Sequence, residues 1–317
     1  MKSLSQFKKI YVTGHTGLLG SAVVRYLKNN SSAELVTKTS KEMDLRDQAA
    51  VYELFKTTRP DLVIHCAAKV GGIHTNTNFP ADFLQDNMSM QLNVFHGAHL
   101  ADIQTVIGFG SNCMYPAQAP QPMPESLLFS GPVETTNLSY AMAKLSGLVQ
   151  TQSYNKQFGR EYYYVIPATL YGPGDNFDPN KAHVTPAMML KVMNAMKNKL
   201  PNIEIWGTGQ PRRELLYCDD AARGVFQILE RHDPKNGAVN LGSGEDLSIR
   251  EIAESVSRVF GYKGDFVFNT NKPDGMMKKM LDSTVAFGYG FRPLVSIDQG
   301  LTNTRSWLIE HTDLLKV

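Results

Sequence analysis

An apolar strand that runs straight into a glycine-spaced turn and then a helix leaves few folds open. Lys8-Lys-Ile-Tyr-Val-Thr13 reads as a buried strand, Gly14-His-Thr-Gly-Leu-Leu-Gly20 follows it, and an apolar-periodic helix continues to about Leu27. Glycines at 14, 17 and 20 let the backbone turn tightly and approach a pyrophosphate at the helix N-terminus. A bare glycine triplet also fits an ordinary turn. Its place after a strand, at the start of a long α/β pattern, is what favours a dinucleotide.

The next strand, Glu34 to Lys38, is where a fold choosing NAD usually places an acid for the ribose hydroxyls. Here Lys38, Thr39, Ser40 and Lys41 follow instead. Two cations and two hydroxyls suit a 2′-phosphate and so NADP(H); a solvated basic turn is the other reading. Asp44-Leu45 then places an aspartate where an adenine would lie.

Helices at 47–58, 80–99 and 137–158 alternate with apolar strands at 61–66, 105–109 and 161–166. Continuous apolar strands separated by helices predict an α/β chain with a doubly wound parallel (Rossmann) sheet. Beyond it the pattern loosens: a Met-rich helix at 184–198, short strands at 203–206, 212–217 and 239–242, and a helix from Ser248 to Phe260. The expected division is a dinucleotide-binding domain over 1–170, with strands returning near 215–245, and a smaller α/β substrate-binding lobe over mainly 171–317.

Composition narrows the setting. A net charge of +2 over 317 residues suggests neither a nucleic-acid partner nor a membrane surface, and no apolar run reaches the roughly 20 residues of a membrane span. Three widely spaced cysteines, Cys66, Cys113 and Cys218, argue for reduced thiols in a cytoplasmic protein, against a disulfide framework and against a structural metal site.

The chemistry concentrates after the strand at 105–109. Ser111 and Cys113 follow that strand's carboxyl end, where open α/β sheets bind ligands. Tyr140 and Lys144 share a helix face at a spacing of four. A phenol beside an ammonium is a proton donor whose ionisation the cation favours, and Ser111 can hold the same substrate oxygen. Cys113 adds a thiol, either as a carbon acid-base catalyst or as a small buried residue. His183 is open to the same two readings.

With these residues collected, the chain resembles the extended short-chain dehydrogenase/reductase family over nearly its whole length. The carrying motifs are Gly-His-Thr-Gly-Leu-Leu-Gly (14–20), Ala-Ala-Lys-Val-Gly-Gly-Ile (67–73), Gly-Ser-Asn-Cys-Met-Tyr-Pro (110–116) and Asn-Leu-Ser-Tyr-Ala-Met-Ala-Lys (137–144). Further on come Leu-Tyr-Gly-Pro-Gly-Asp-Asn-Phe (170–177), His183-Val184 and Lys-Pro-Asp-Gly (272–275). Glycines and Tyr-x3-Lys specify only the superfamily. The cysteine segment, His183 and Lys-Pro-Asp-Gly are similar to the branch that epimerises a GDP-4-keto-6-deoxy sugar at C3 and C5 and reduces it at C4. The resemblance implies Ser111, Tyr140 and Lys144 as the reductase triad, and Cys113 and His183 as the epimerisation pair. It implies NADP(H) contacts from Gly14, Thr16, Gly17, Leu18, Leu19, Gly20, Lys38, Ser40, Lys41, Asp44, Leu45, Ala67, Ala68, Asn87, Pro167 and Leu170, besides Tyr140, Lys144 and His183. For the GDP-sugar it implies Ser111, Asn112, Cys113, Val184, Met188, Lys191, Trp206, Arg213 and Lys279, and it implies a homodimer through helices 80–99 and 137–158. Thr16 and Ser40 stand where family members often carry arginines for the 2′-phosphate, Asn112 replaces a common serine and Lys191 a common arginine. Two other functions remain open: a C4 reductase or epimerase of a related nucleotide keto-sugar, and a catalytically silent dinucleotide-binding regulator.

Overall fold

The structure is a computed structural model that describes residues 2–179, 181–272 and 274–312, with Ile73 and His74 described by backbone alone. Pro273 of the Lys-Pro-Asp-Gly motif lies outside the described residues, as does the side chain of Ile73. In chain order the elements of the first half are β1 (Lys9–Thr13), α1 (Leu18–Asn30), β2 (Glu34–Thr37), α2 (Gln48–Thr58), β3 (Leu62–His65), α3 (Ile73–Asn78), α4 (Pro80–Leu100), β4 (Thr105–Phe109), α5 (Leu138–Phe158) and β5 (Glu161–Pro167). There follow β6 (Thr169–Tyr171), α6 (Val184–Lys197), β7 (Asn202–Trp206), β8 (Arg212–Tyr217), α7 (Cys218–Arg231), β9 (Val239–Leu241), β10 (Asp246–Ser248), α8 (Ile249–Phe260), β11 (Asp265–Asn269), β12 (Lys278–Lys279), α9 (Thr284–Gly288) and α10 (Ile297–Glu310).

Six strands form one parallel sheet in the order β2-β1-β3-β4-β5-β9. Its central strands are apolar on both faces because helices cover both. Tyr11, Val63, Val106 and Tyr162 point into a core shared with Val51, Phe55, Val94 and Phe95 of α2 and α4. Their neighbours Ile10, Val12, Ile64 and Ile107 point the other way, into a core with Ala22, Val23 and Leu27 of α1 and Val225 and Phe226 of α7. The strand order reverses between β1 and β3, and the carboxyl ends there open the crevice in which such sheets bind ligands.

Two glycines make that crevice possible. Gly14 turns with φ +64°, and a Cβ on it would lie 2.7 Å from the Ala67 nitrogen, so the loops after β1 and β3 touch backbone to backbone. A Cβ on Gly20 would lie 2.1 Å from the Gly14 carbonyl oxygen. Gly20→Ala is therefore expected to push the turn off α1 and cost ~1–3 kcal/mol of stability, read as a lower urea midpoint at unchanged slope. A midpoint equal to wild type would show that the turn can relax.

The later chain builds two smaller sheets. One sets β8 between antiparallel β10 and parallel β12, with β6 also pairing β8; the other is the parallel pair β7 and β11. β9 returns to the main sheet, whereas β8 stays in the second one. Ser248 caps α8 reciprocally with Glu251, a capping box.

Candidate active site

β4 ends at Phe109, and Gly110 donates its N–H to the Val165 carbonyl (2.8 Å), so the strand is paired to its last residue. Ser111 then leads into a single 3₁₀ turn over Asn112–Met114, its hydroxyl accepting the Cys113 N–H at 3.3 Å. That turn holds Ser111 and Cys113 half-buried at the carboxyl edge of the sheet, while Asn112 turns inward, 8% exposed, with its amide near Thr169.

Tyr140 lies in the first turn of α5, and Lys144 one turn on. The Ser111 side chain lies close enough to the Tyr140 phenol to favour its ionised form. Lys144 is buried, its ammonium 5.8 Å from the centre of the Tyr140 ring. The sequence reading expected the cation to favour the phenolate. The structure reverses the sign: burial raises the phenol well above its ordinary value and the nearby Cys113 adds to it, while Ser111 opposes. Burial likewise lowers Lys144 to about 8, with Cys66 opposing. Burial therefore keeps the proton on Tyr140 at neutral pH, where it is available to a carbonyl oxygen, while making the phenol a weaker acid than it is in water.

Across the cleft, Cys113 meets a cation from the far end of the chain. The Lys279 ammonium donates to its sulfur at 3.5 Å. His183, exposed at the N-cap of α6, is held below its ordinary value by the protein atoms crowded around its ring and by Lys279, so it stays neutral at neutral pH. Ser111, Tyr140, Cys113, Lys279 and His183 thus form one connected group.

Residues expected at a cofactor line the crevice between β1 and β3. Gly17 caps α1 without a side-chain bond, which leaves the first helical N–H groups for an anion. The close-packed backbone at Gly14, Gly20 and Ala67 is a cradle that a Cβ would fill, and it fits a pyrophosphate. Thr16 is exposed at its mouth, Leu18 and Leu19 begin α1 half-buried, and Ala68 continues the loop after β3. Asn87 fastens that loop: its Oδ1 accepts the Lys69 N–H (2.9 Å) and its amide donates to the Lys69 and Phe83 carbonyls.

Lys38, Ser40 and Lys41 are exposed after β2. An acid does follow that strand, contrary to expectation: Glu42 accepts the N–H and hydroxyl of Thr39 at 2.8 and 2.7 Å, and so ties the turn together. Asp44 is paired in a fork with Arg46, which also reaches Asp86, and Leu45 is buried in the core. Pro167 ends β5 against Leu241, and Leu170 lies on β6 against β8.

On the substrate side, Trp206 is 64% exposed, its ring under the Lys272 ammonium at 5.2 Å and its Nε1 on Glu204. A wide-open indole fixed on both flanks is a platform for a planar base. Arg213 is half-buried and donates to the Arg212 and Met276 carbonyls; a Cβ on Gly275 would lie 3.2 Å from its guanidinium. Asp274 of the same motif accepts the N–H and hydroxyl of Thr208. Val184 begins α6 half-buried, Lys191 donates to the Glu204 carbonyl at 2.8 Å, and Met188 is 5% exposed within the core.

Two residues escaped the sequence reading. Glu214 is 1% exposed on β8, accepting N–H groups from Gly244 and Leu281, and burial pushes its carboxyl up to about 7 against the pull of those bonds. Asn240, wholly buried on β9, accepts the Tyr115 hydroxyl and donates to the Met123 and Asp282 carbonyls. An acid beside Leu215 and Leu216 was the available signal for the first; nothing in the local pattern marks the second.

A doubly wound sheet with a glycine cradle at its switch point and a Ser-Tyr-Lys group at the next strand defines a nucleotide-dependent carbonyl-chemistry enzyme. The chain belongs to the NAD dependent epimerase/dehydratase family, whose model matches residues 10–242. It is 41% identical over 314 residues to the GDP-L-fucose synthase of Escherichia coli (strain K12), an alignment covering 96% of this chain and 98% of that one. GDP-L-fucose synthase 1 of Arabidopsis thaliana is 43% identical over 303 residues, with 96% and 94% covered. The crystal structure of a GDP-L-fucose synthetase from Naegleria fowleri bound to NADP superposes with a TM-score of 0.91 at 32% identity, over 98% of this chain and 96% of that one.

Proposed function

We propose that this chain is a bifunctional NADPH-dependent 3,5-epimerase and 4-reductase that converts GDP-4-keto-6-deoxy-D-mannose to GDP-L-fucose. The observation that carries the reading is the joining of two sets of residues in one cleft: Ser111, which accepts the Cys113 N–H and neighbours the Tyr140 phenol, and the Lys279 ammonium on the Cys113 sulfur. A C4 ketone acidifies the hydrogens on both C3 and C5, so one acid-base pair beside one oxyanion clamp can serve both centres. Ser111 and Tyr140 hold the C4 oxygen while Cys113 and His183 exchange protons with its neighbours. Tyr140 afterwards protonates that oxygen, and Lys144 stands behind it. Bound NADPH supplies the hydride that C4 receives. The residues that would hold it are the cradle of Gly14, Gly17 and Gly20, the Ala67–Ala68 loop, and Lys38, Ser40 and Lys41 at the 2′-phosphate.

The GDP would lie over the later sheets, with Trp206 under the guanine and Arg213 and Lys191 toward the phosphates, so that residues 171–317 mainly serve the sugar nucleotide and 1–170 the cofactor. Leu84, Leu92 and Leu100 on α4 and Leu138, Met142 and Val149 on α5 are exposed apolar residues on two packed helices; a second copy covering them would make a homodimer. Three unpaired thiols fit a cytoplasmic setting, and among the described residues no helix is long and apolar enough to cross a membrane.

The test is turnover of GDP-4-keto-6-deoxy-D-mannose with NADPH and with NADH, followed by stereochemical identification of the sugar. GDP-L-fucose as product, with a higher kcat/KM for NADPH, is expected. A product reduced at C4 but unchanged at C3 and C5 would replace the reading with a C4 reductase. Equal kcat/KM for the two cofactors would remove Lys38 and Lys41 from the 2′-phosphate.

A further inference from the structure

Lys279 reaches the site from the smaller sheet that holds β8. It sits on the two-residue strand β12, in register with Arg213 of β8. The strand is fastened on both sides of it. Ahead of it the Met277 carbonyl accepts the Arg212 N–H at 2.7 Å. After it the Met280 N–H donates to the Gln121 side chain (2.7 Å), the Met280 carbonyl accepts the Met123 N–H (2.9 Å), and the Leu281 N–H donates to buried Glu214 (2.8 Å). Backbone bonds to two separate segments therefore fix the base of the side chain, and its ammonium ends 3.5 Å from the Cys113 sulfur.

We propose that Lys279 is the counter-cation of Cys113, a positioning residue of the epimerase half-reaction that holds the sulfur and stabilises it whenever it carries negative charge. This rests on the acid-base role of Cys113 proposed above. When the sulfur takes a proton from carbon, the new S–H bond replaces the C–H bond and the electron pair moves to the C4 oxygen as an enolate. When the sulfur gives a proton back, the reverse occurs and a thiolate remains. In either direction one state of the sulfur is an anion, and the Lys279 side chain lies beside it. The other groups around the sulfur cannot take this part: Tyr140 and His183 are neutral, Ser111 is a hydroxyl, and Asn112 offers its carbonyl oxygen at 3.8 Å. A cation within ~4–6 Å favours a neighbouring anion by a factor of at least about 10.

The experiment measures the sulfur without any sugar present. Wild type, Lys279→Met, Lys279→Gln and Lys279→Arg are treated with iodoacetamide at pH 7, and the alkylation rate of Cys113 is followed by peptide mass spectrometry, apart from Cys66 and Cys218. In this reaction the thiolate displaces iodide, so the rate reports the population and exposure of the anion. NADPH binding, read by fluorescence, verifies that each variant is folded, and the Gln variant keeps the comparison open if Met disturbs packing. Alkylation is expected to slow ~10-fold or more in the Met and Gln variants and to return within about threefold of wild type in Arg. Deuterium exchange at C3 and C5 of the keto-sugar is expected to fall in the same two variants at saturating substrate. A rate in Met and Gln equal to or faster than wild type overturns the proposal, as does an Arg variant as slow as Met. A slowed alkylation with no sugar turnover even in wild type would leave the ion pair standing while removing the proposed substrate.

Discussion

Tyr140→Phe is expected to lower single-turnover NADPH oxidation by about 10²–10⁴, because it deletes the one group placed to protonate the C4 oxygen. The ring itself should stay. It packs edge-on against Phe83 with centroids 6.4 Å apart, and the Lys144 ammonium remains beside its face. NADPH affinity should therefore change little, so that the loss falls on the chemical step. The raised position of the phenol adds a pH signature. Since burial keeps the proton on Tyr140 through neutral pH, the wild-type reduction rate should show no decline between about pH 6 and 8 from loss of that proton. Turnover in the Phe variant within a few-fold of wild type would take Tyr140 out of the mechanism.

The second large effect separates the two half-reactions. Cys113→Ser keeps the size of the side chain and a hydroxyl but puts a far weaker acid-base group where the thiol was. His183→Gln keeps a polar side chain and removes a titratable one. Neither replaces Ser111, Tyr140 or the buried Lys144. In D₂O without NADPH, both variants are expected to lose most deuterium incorporation at C3 and C5, about 10²-fold or more, as loss of a general acid-base group implies. With NADPH they should accumulate an unepimerised or singly epimerised sugar reduced at C4. Exchange of both positions at the wild-type rate would make the altered residue structural. Complete loss of reduction in both, with cofactor still bound, would mean that the activities share more machinery than two sets of residues meeting at one sulfur.

What the chain discloses before folding depends on the length of each element. The first five strands of the main sheet are runs of four to seven residues, mostly apolar, and such runs can be read directly. β6 and β12 have three and two residues, too few for any alternation to register, and β12 carries Lys279. Within the site, groups near one another in sequence were legible together: Ser111 with Cys113, Tyr140 with Lys144. Their electrostatics were not, since the sign of the Tyr140 shift is set by burial rather than by the neighbouring lysine. Asp44 looked like an adenine contact because Arg46, only two residues on, could not be seen to claim it.

Cys113 and Lys279 are 166 positions apart. In the equilibrium balance that separation matters little, since each doubling of a closed loop adds only about 0.6 kcal/mol. In time it matters more, because contacts between distant parts of a chain are slow to form. Ser111, Tyr140 and Lys144 are made well before Lys279, and they depend on strands and helices close to them in the chain. The sulfur's cation arrives only later, after β8 exists to receive β12. The two chemistries thus have different birthdays: a nascent chain acquires its proton donor before it acquires the cation beside its thiol.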